Sequence, residues 1–85
     1  MASVEIPLRL EKLAGGETRF TIEVGSVRQL LRELDSRFPG IAEQLKATTA
    51  VAIDGHVVGD KVDDAVLMRL DDDSEVFFVP AIAGG

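Results

Sequence analysis

The sequence predicts an α+β fold in which a mixed β-sheet wraps around one main helix, formed by a single domain of 85 residues. Three observations predict this fold. Two segments of alternating apolar and polar residues open the chain, one long amphipathic segment follows, and three short strand-like segments come after it. The resulting order, β-β-α-β-β-β, places one helix against one face of one sheet.

The first two strands are predicted from alternation. Apolar side chains occupy every even position from residue 4 to residue 10, namely Val4, Ile6, Leu8 and Leu10. Pro7 has no N–H to donate, so we expect this strand to lie at a sheet edge or to carry a bulge. Residues 14–17 include two glycines and predict a turn, and residues 19–24 predict the returning strand of a hairpin.

The main helix has both a start signal and a stop signal. Ser26 is a favourable N-cap residue, and Gln29 follows it at the spacing of a capping box. Pro39 and Gly40 are typical of a helix end. The apolar residues between these signals repeat at helical spacing and are Val27, Leu30, Leu31, Leu34 and Phe38. The sequence therefore predicts a helix from about Ser26 to Phe38.

A second hairpin is predicted after this helix. We expect residues 41–45 to form a short helical turn and residues 47–49 to form a loop. Residues 50–53 predict a strand that ends in the turn pair Asp54-Gly55. The return strand is expected at Val57-Val58.

The last strand is predicted at residues 75–79. Before it, we expect one helical turn around residues 66–70 and a tight turn at residues 71–74. These elements complete the order of a β-grasp fold. The sequence therefore predicts a β-grasp domain over residues 1–80 and a flexible C-terminal tail over residues 81–85.

Charge and composition exclude several classes of function. The net charge is -6 and lysines and arginines form no run, so nucleic acid and anionic membranes are poor candidate partners. A basic surface on another protein suits this charge better. The chain has no cysteine, and it shows neither a signal peptide nor a membrane-spanning segment, so we expect a cytoplasmic location.

No motif indicates side-chain catalysis or metal binding. The sequence has no phosphate-binding loop, and its single histidine, His56, lies beside a predicted turn without a Ser or Cys partner. The acidic run at residues 71–75 departs from a calcium-binding loop, because Val76 stands where the sharp turn needs glycine. We expect a solvated turn there and no bound metal.

The C-terminal pair Gly84-Gly85 is the candidate functional feature. It follows the last predicted strand, so we expect its root to be fixed and its end to be free. The six residues from Pro80 reach about 20 Å when extended. Because glycine has no Cβ, such an end can enter a narrow channel on another protein. The reactive group would then be the α-carboxylate of Gly85.

The C-terminal segment resembles that of the ThiS/MoaD family of ubiquitin-like sulfur carriers. It consists of Glu75-Val76-Phe77-Phe78-Val79 followed by Pro80-Ala81-Ile82-Ala83-Gly84-Gly85. Residues 38–41 and 51–55 are also similar to segments of MoaD-like members. Asp54-Gly55 replaces the Asn-Gly that is frequent in the family, and Ala83 replaces a glycine common in thiamine-pathway carriers. By its tail, the sequence is closer to the molybdopterin-pathway and cysteine-pathway members, and Gly15-Gly16 and residues 41–45 are also similar to the cysteine-pathway carriers.

The resemblance implies a carrier, which is a protein cosubstrate and not an enzyme. In the family, a partner of the ubiquitin-activating type uses ATP to adenylate the C-terminal glycine, and a sulfur donor then converts the adenylate to a thiocarboxylate. The carrier binds no cofactor itself and delivers its sulfur to an accepting synthase. By this resemblance Gly85 is the reactive residue, and Gly84 is its neighbour in the partner's channel.

The last strand also predicts a docking surface. If Phe78 faces the helix, alternation places Phe77 and Val79 on the open face of the sheet, beside Ala50 and Ala52 of the neighbouring strand. Small residues next to an exposed aromatic ring are typical of a contact patch. The predicted partner-binding residues are Phe77, Val79, Pro80, Ala81, Ile82 and Ala83.

Four alternatives remain open. The chain could be a ubiquitin-like modifier joined through Gly85 to lysines of other proteins. It could be the small subunit of a molybdopterin synthase, with a permanent large partner. Phage tail-assembly proteins have a similar fold and a Pro-x-x-Ala-Gly segment, but their chains continue, whereas we expect this chain to end at Gly85. The last alternative is a non-catalytic β-grasp interaction module.

Overall fold

The computed structural model describes residues 1–59 and 61–80. In this part of the chain, five strands form one mixed sheet, and two helices pack on one of its faces. The strands are β1 (Ala2–Glu5), β2 (Arg19–Ile22), β3 (Thr49–Ile53), β4 (His56–Gly59) and β5 (Glu75–Pro80). The helices are α1 (Val27–Arg37) and α2 (Ile41–Thr48), with short 3-10 helices at Leu8–Leu10 and Val62–Ala65. The predicted α+β class and the predicted order of strands are confirmed. The predicted tail, residues 81–85, lies outside the described residues.

The order of strands across the sheet is β2-β1-β5-β3-β4. β1 and β5 run parallel, and the other neighbouring pairs are antiparallel. Two hairpins, β1–β2 and β3–β4, are therefore joined into one sheet by β5, the last strand of the chain. This is the β-grasp arrangement.

The first strand is shorter than predicted, and its predicted position in the sheet is wrong. β1 ends at Glu5 and lies between β2 and β5, so it is not an edge strand. Pro7 cannot donate to either neighbour, so pairing stops before it and the chain turns into a 3-10 helix. Leu10 N–H then donates to the Pro7 carbonyl at 3.0 Å. As a result Leu8, which alternation had placed in the core, is 73% exposed.

The main helix confirms its predicted signals. The Ser26 hydroxyl accepts a hydrogen bond from the Gln29 N–H at 3.1 Å, and the Gln29 side chain accepts one from the Gly25 N–H at 2.8 Å. Together these bonds cap the N-terminus of α1. The helix ends at Arg37, and Phe38 is the C-cap residue. Its buried stripe consists of Val27, Leu30, Leu31 and Leu34.

The connection from α2 to β3 differs from the prediction. α2 continues to Thr48 and β3 begins at Thr49, so the predicted loop at residues 47–49 does not exist. The hydroxyls of Thr48 and Thr49 donate to the carbonyls of Gln44 and Leu45, each at 2.6 Å. These bonds satisfy carbonyls in the last turn of the helix, so no extra residues are needed to leave it.

The turn between β3 and β4 fixes the start of β5. Asp54 and Gly55 have φ angles of 51° and 85°, the left-handed conformations that a type I′ turn requires. The Asp54 carboxylate accepts a hydrogen bond from the Glu75 N–H at 3.0 Å. The Asp54 N–H donates to the Glu75 carbonyl at 2.9 Å. One turn residue therefore binds both backbone groups of the first residue of β5.

The segment before β5 is helical earlier than predicted. The 3-10 helix covers Val62–Ala65, and both of these terminal residues are fully buried, whereas Leu67, which we expected within the helical turn, is 81% exposed. In a 3-10 helix, side chains at positions i and i+3 lie on the same face, so Val62 and Ala65 can both be buried by one short element. The tight turn at residues 71–74 is confirmed, because the Ser74 N–H donates to the Asp71 carbonyl at 3.2 Å.

Replacing Leu34 by alanine should destabilise the domain by about 2–5 kcal/mol. Leu34 is fully buried in the core between α1 and the sheet, so its truncation leaves a cavity. Chemical denaturation measures the free energy of unfolding. The matched control is Leu67→Ala, which removes the same atoms from an exposed side chain. Equal losses in the two variants would contradict the packing of α1.

Replacing Asp54 by alanine should cost about 1–2 kcal/mol, because it leaves the Glu75 N–H without its acceptor and puts a less suitable residue at positive φ. Asp54→Asn keeps both the acceptor oxygen and the tolerance for positive φ, so its stability should stay close to that of the native chain. Thermal and chemical denaturation of the two variants make the comparison. A loss for asparagine as large as that for alanine would contradict this role of the side-chain oxygen.

Candidate functional site

The candidate site lies where β5 ends, at the root of the C-terminal segment. β5 pairs with β3 from Val76, which lies opposite Ile53, to Pro80, which lies opposite Thr49. β1 pairs with the first half of β5 only, as far as Phe77. The chain is therefore held by backbone pairing up to Pro80.

The strand phase predicted for β5 is confirmed. Val76 and Phe78 are buried beneath the helices, Val79 is half-buried, and Phe77 is 44% exposed on the opposite face of the sheet. Phe77 lies opposite Ala52 in the register of β3 and β5. The small alanine side chain leaves one side of the phenylalanine ring uncovered.

The register also places Ala50 opposite Val79, on the face that we predicted. Ala50 is only 9% exposed, however, so it contributes little accessible surface. Of the two alanines expected on the open face, Ala52 is the one that remains half-exposed.

Two further apolar residues join this surface, and sequence reasoning missed both. Leu8 lines a hollow of about 500 Å³ together with Phe77, Val79 and Pro80. Val57 of β4 is 62% exposed and pairs with Ala52, so it lies on the same face. Pro7 is the sequence signal that could have predicted the exposure of Leu8, because a proline that ends the strand also ends the alternation of buried and exposed residues. We call the residues Leu8, Ala52, Val57, Phe77, Val79 and Pro80 the tail-root patch.

Charged side chains surround the tail-root patch. Glu5 lies opposite Phe77 in the parallel pairing of β1 and β5, and its carboxylate binds Arg19 at 2.7 Å. Glu75 is exposed two residues before Phe77 on the same face. On the other side, the Arg9 guanidinium donates to the Thr48 carbonyl at 3.2 Å. The patch is thus an apolar centre with a charged rim, which is the usual anatomy of a protein–protein contact.

The predicted site residues fall into two groups. The structure brings Phe77, Val79 and Pro80 together at one end of the sheet, next to Leu8. Residues 81–85, which include the predicted contact residues Ala81, Ile82 and Ala83 and the pair Gly84-Gly85, lie outside the described residues. Their roles stay predictions.

The acidic run before β5 is a backbone turn, as expected. The Asp71 carboxylate accepts hydrogen bonds from the Asp73 N–H at 2.9 Å and the Ser74 hydroxyl at 3.2 Å. Within residues 1–59 and 61–80, no group of three or more His, Asp or Glu side chains is placed to hold a metal ion. His56 is exposed at the start of β4. None of the helices in this part of the chain is long and apolar enough to cross a membrane.

Comparison with known proteins gives one family and several similar structures. The sequence matches the ThiS family over residues 4–85. No curated protein matches the sequence. The fold is similar to that of CysO from Mycobacterium tuberculosis, an antigen, with a TM-score of 0.80 at 17% identity over 96% of this chain and 100% of that chain.

Two other solved structures have the same fold. A chain of the BexX/CysO complex from Amycolatopsis orientalis gives a TM-score of 0.76 at 22% identity, with 100% of both chains covered. The small archaeal modifier protein 1 from Methanosarcina acetivorans gives 0.78 at 16% identity, over 99% of this chain and 95% of that chain.

Phe77→Asp should leave the domain folded, with a change in unfolding free energy of about 1 kcal/mol or less, because the new charge stays in water. Phe78→Asp should abolish folding, since it would bury an unpaired carboxylate beneath the helices. Circular dichroism and thermal melting of both variants test this difference between neighbouring residues. If Phe77→Asp also unfolds, the ring belongs to the core and the open face has been assigned to the wrong residues.

Proposed function

We propose that this chain, which belongs to the ThiS family, is a sulfur carrier whose reactive group is the C-terminal carboxylate of Gly85. One observation carries the proposal. The family match extends to residue 85, and the last strand of the sheet leads directly into these residues from an exposed apolar patch. In this proposal a partner enzyme binds the folded domain and carries out its reaction on the tail.

The chemistry requires a partner. A carboxylate is a poor electrophile, because its negative charge repels a nucleophile and it has no leaving group. Adenylation by ATP forms an acyl–phosphate bond at Gly85 and releases pyrophosphate. A sulfide-level sulfur nucleophile from the donor then attacks the acyl carbon, AMP leaves, and a thiocarboxylate remains. The chain contains no nucleotide-binding loop, so we assign ATP to the activating enzyme.

The domain contributes by restricting where the carboxylate can be. A chain of five residues after Pro80 extends about 17 Å at most. Since Pro80 is held opposite Thr49 in the sheet, a partner that binds the sheet face fixes the region in which Gly85 can lie. Holding a reacting group close to its target in this way replaces a bimolecular encounter by an effectively unimolecular one.

The tail-root patch is the surface that we propose for docking. Phe77 and Leu8 offer large exposed apolar side chains, and Ala52 leaves space between them and β4. Glu75 on the rim favours a partner with basic residues around an apolar centre. The activating enzyme and the sulfur-accepting synthase would both use this patch, at different times, because both need the tail.

The proposed acceptor belongs to a cysteine-type or molybdopterin-type pathway. Ala83 in place of a third glycine supports these over the thiamine type. The similarity to a chain of the BexX/CysO complex supports the idea that a chain of this fold docks on another protein. If the pathway is of the molybdopterin type, the chain would be the small subunit of a synthase and would form a permanent complex with the large subunit.

A ubiquitin-like modifier is the second candidate, and the similarity to the small archaeal modifier protein 1 favours it. The same activated carboxylate would then be attacked by a lysine amine of a target protein, and an isopeptide bond would replace the thiocarboxylate. Trypsin gives a specific signature for this outcome. Because no Lys or Arg follows Arg69, digestion would leave residues 70–85 attached to the modified lysine.

Appending one residue after Gly85 should leave the melting temperature nearly unchanged and abolish adenylation. The added residue moves the carboxylate by about 3.5 Å. A displacement of about 1 Å can already cost on the order of a hundredfold in rate. Pyrophosphate exchange with a cognate activating enzyme measures adenylation, and intact mass after addition of a sulfur donor measures the thiocarboxylate.

Two further variants complete this experiment. Phe77→Asp should raise the KM for the carrier, because it weakens docking while leaving the carboxylate intact. Leu67→Ala, which truncates an exposed apolar side chain outside the tail-root patch, should behave like the native chain. If the extended chain is adenylated as well as the native chain without being trimmed first, Gly85 is not the reactive group and the carrier proposal is wrong.

A further inference from the structure

A second concave surface lies on the helix side of the domain. It is a groove of about 590 Å³ between α1 and α2. Its floor is apolar and consists of Leu31, Ala42 and Val66, and its α1 wall carries Arg28 and Arg32. We call this surface the helix groove. The helices cover one face of the sheet and Phe77 lies on the other, so the helix groove and the tail-root patch are on opposite sides.

The charges of the helix groove are not balanced locally. Lys46 lies 3.7 Å from Asp63, so each of these charges has a partner. The Asp35 carboxylate accepts hydrogen bonds from the backbone N–H groups of Gly40 and Ala42, at 3.1 and 3.2 Å. These hydrogen bonds orient the Asp35 carboxylate but leave its negative charge, so the three basic and two acidic side chains of the lining give the groove a net charge of +1.

Arg28 and Arg32, by contrast, have no carboxylate within 4.0 Å in the part of the chain that the structure describes. They lie one helical turn apart on the same wall of the groove. Because of these two guanidinium groups, the lining of the groove is net positive by one charge, on a chain whose net charge is -6. A ligand with negative charge is complementary to this lining.

Backbone hydrogen bonds fix the walls of the groove. The N–H groups of Val27 and Arg28 donate to the carbonyls of Met68 and Val66, both at 3.0 Å. These bonds attach the floor segment to the N-terminus of α1, and the Asp35 carboxylate attaches α2 to α1. A groove that is formed before binding saves the ordering cost that a flexible surface would incur.

We propose that the helix groove binds an acidic segment of a partner protein, with carboxylates on Arg28 and Arg32 and an apolar side chain on the floor. The two arginines are separated by about 6 Å along α1. Alternate side chains of an extended segment repeat at about 6.6 Å, so two carboxylates of one segment fit both arginines. Guanidinium groups pair with carboxylates through two parallel hydrogen bonds. Nucleic acid fits less well, because binding a phosphate backbone needs a run of basic side chains and this wall offers only two.

Such an interaction would leave the opposite face free. A protein that holds the chain by the helix groove does not cover the tail-root patch or the root of the tail at Pro80. The domain can then be bound to one protein while its C-terminal segment reaches another. This inference does not depend on the chemistry of Gly85.

The test is an NMR titration of the full-length, ¹⁵N-labelled protein with the peptide Glu-Leu-Glu-Leu-Glu, blocked at both ends. Backbone amides of residues 28–36, 42–46 and 66 should shift and saturate, and Gln-Leu-Gln-Leu-Gln should bind much more weakly. The double variant Arg28→Gln/Arg32→Gln should bind about tenfold more weakly, as expected for the loss of two partly exposed ion pairs. Both arginines are exposed and glutamine is a good helix former, so this variant should fold.

A matched control removes the same charge elsewhere. Lys12→Gln/Arg37→Gln changes two exposed cations outside the groove and should bind like the native chain. If the double variant in the groove does not fold, the two single variants replace it, each with an expected loss of about threefold. Phe77→Asp should bind the peptide normally.

Several results would overturn the inference. These are no saturable shift, shifts centred on the tail-root patch, or equal losses in the groove variant and the matched control. Tighter binding of a five-residue oligothymidylate than of the acidic peptide would assign the groove to nucleic acid, and the proposal of a protein segment would be wrong.

Discussion

β5 lies between β1 and β3, and its two hydrogen-bonded ladders join the halves of the sheet. Without it, the chain would consist of two separate hairpins, each of which would be only marginally stable by itself. Burial of Val76 and Phe78 sets the orientation of the strand, and pleating then forces Phe77 to the opposite face. The same pairing that completes the core therefore leaves Phe77 exposed on the opposite face and holds the chain as far as Pro80.

A domain of this size can bury one core but has little room for an enclosed active site. Its two candidate binding surfaces are accordingly open features on opposite sides of the domain, not enclosed cavities. The sheet face provides an apolar patch beside the root of the tail. The helix side provides a groove with two arginines that form no ion pair within residues 1–59 and 61–80. In the proposals made above, partners supply the chemistry and each of these two surfaces binds a different partner.

The acidic character of the chain is partly structural. Three aspartates, Asp35, Asp54 and Asp71, each accept a hydrogen bond from at least one backbone N–H. They cap α2, fix the first residue of β5 and close the turn before it. These carboxylates would be retained for folding even in a chain with no basic partner, so net charge alone is weak support for electrostatic docking. The exposed side chains of Glu75, Arg28 and Arg32 are more informative, because none of them forms a hydrogen bond or ion pair in the part of the chain that the structure describes.

Local signals in the sequence determined the helix, the hairpin turns and the phase of β5. Ser26 with Gln29, the Asp54-Gly55 pair and the alternation around Phe77 each act through neighbours a few residues away, so a sequence pattern suffices to predict them. The tail was also identified from the sequence as the candidate functional feature, because the role proposed for it depends on residue type. Its roles remain predictions for residues 81–85.

Only the tertiary structure decided which surfaces these elements form. The exposure of Leu8 depends on β1 being a central strand, where Pro7 ends pairing with two neighbours at once. The direct passage from α2 into β3 depends on hydroxyl groups that meet carbonyls one turn earlier. The helix groove requires α1 and α2 to meet the segment around Val66, which follows them only after a hairpin. Contacts between residues far apart in the chain leave no periodic signal, so the patch and the groove could not be read from the sequence, although the elements that build them could.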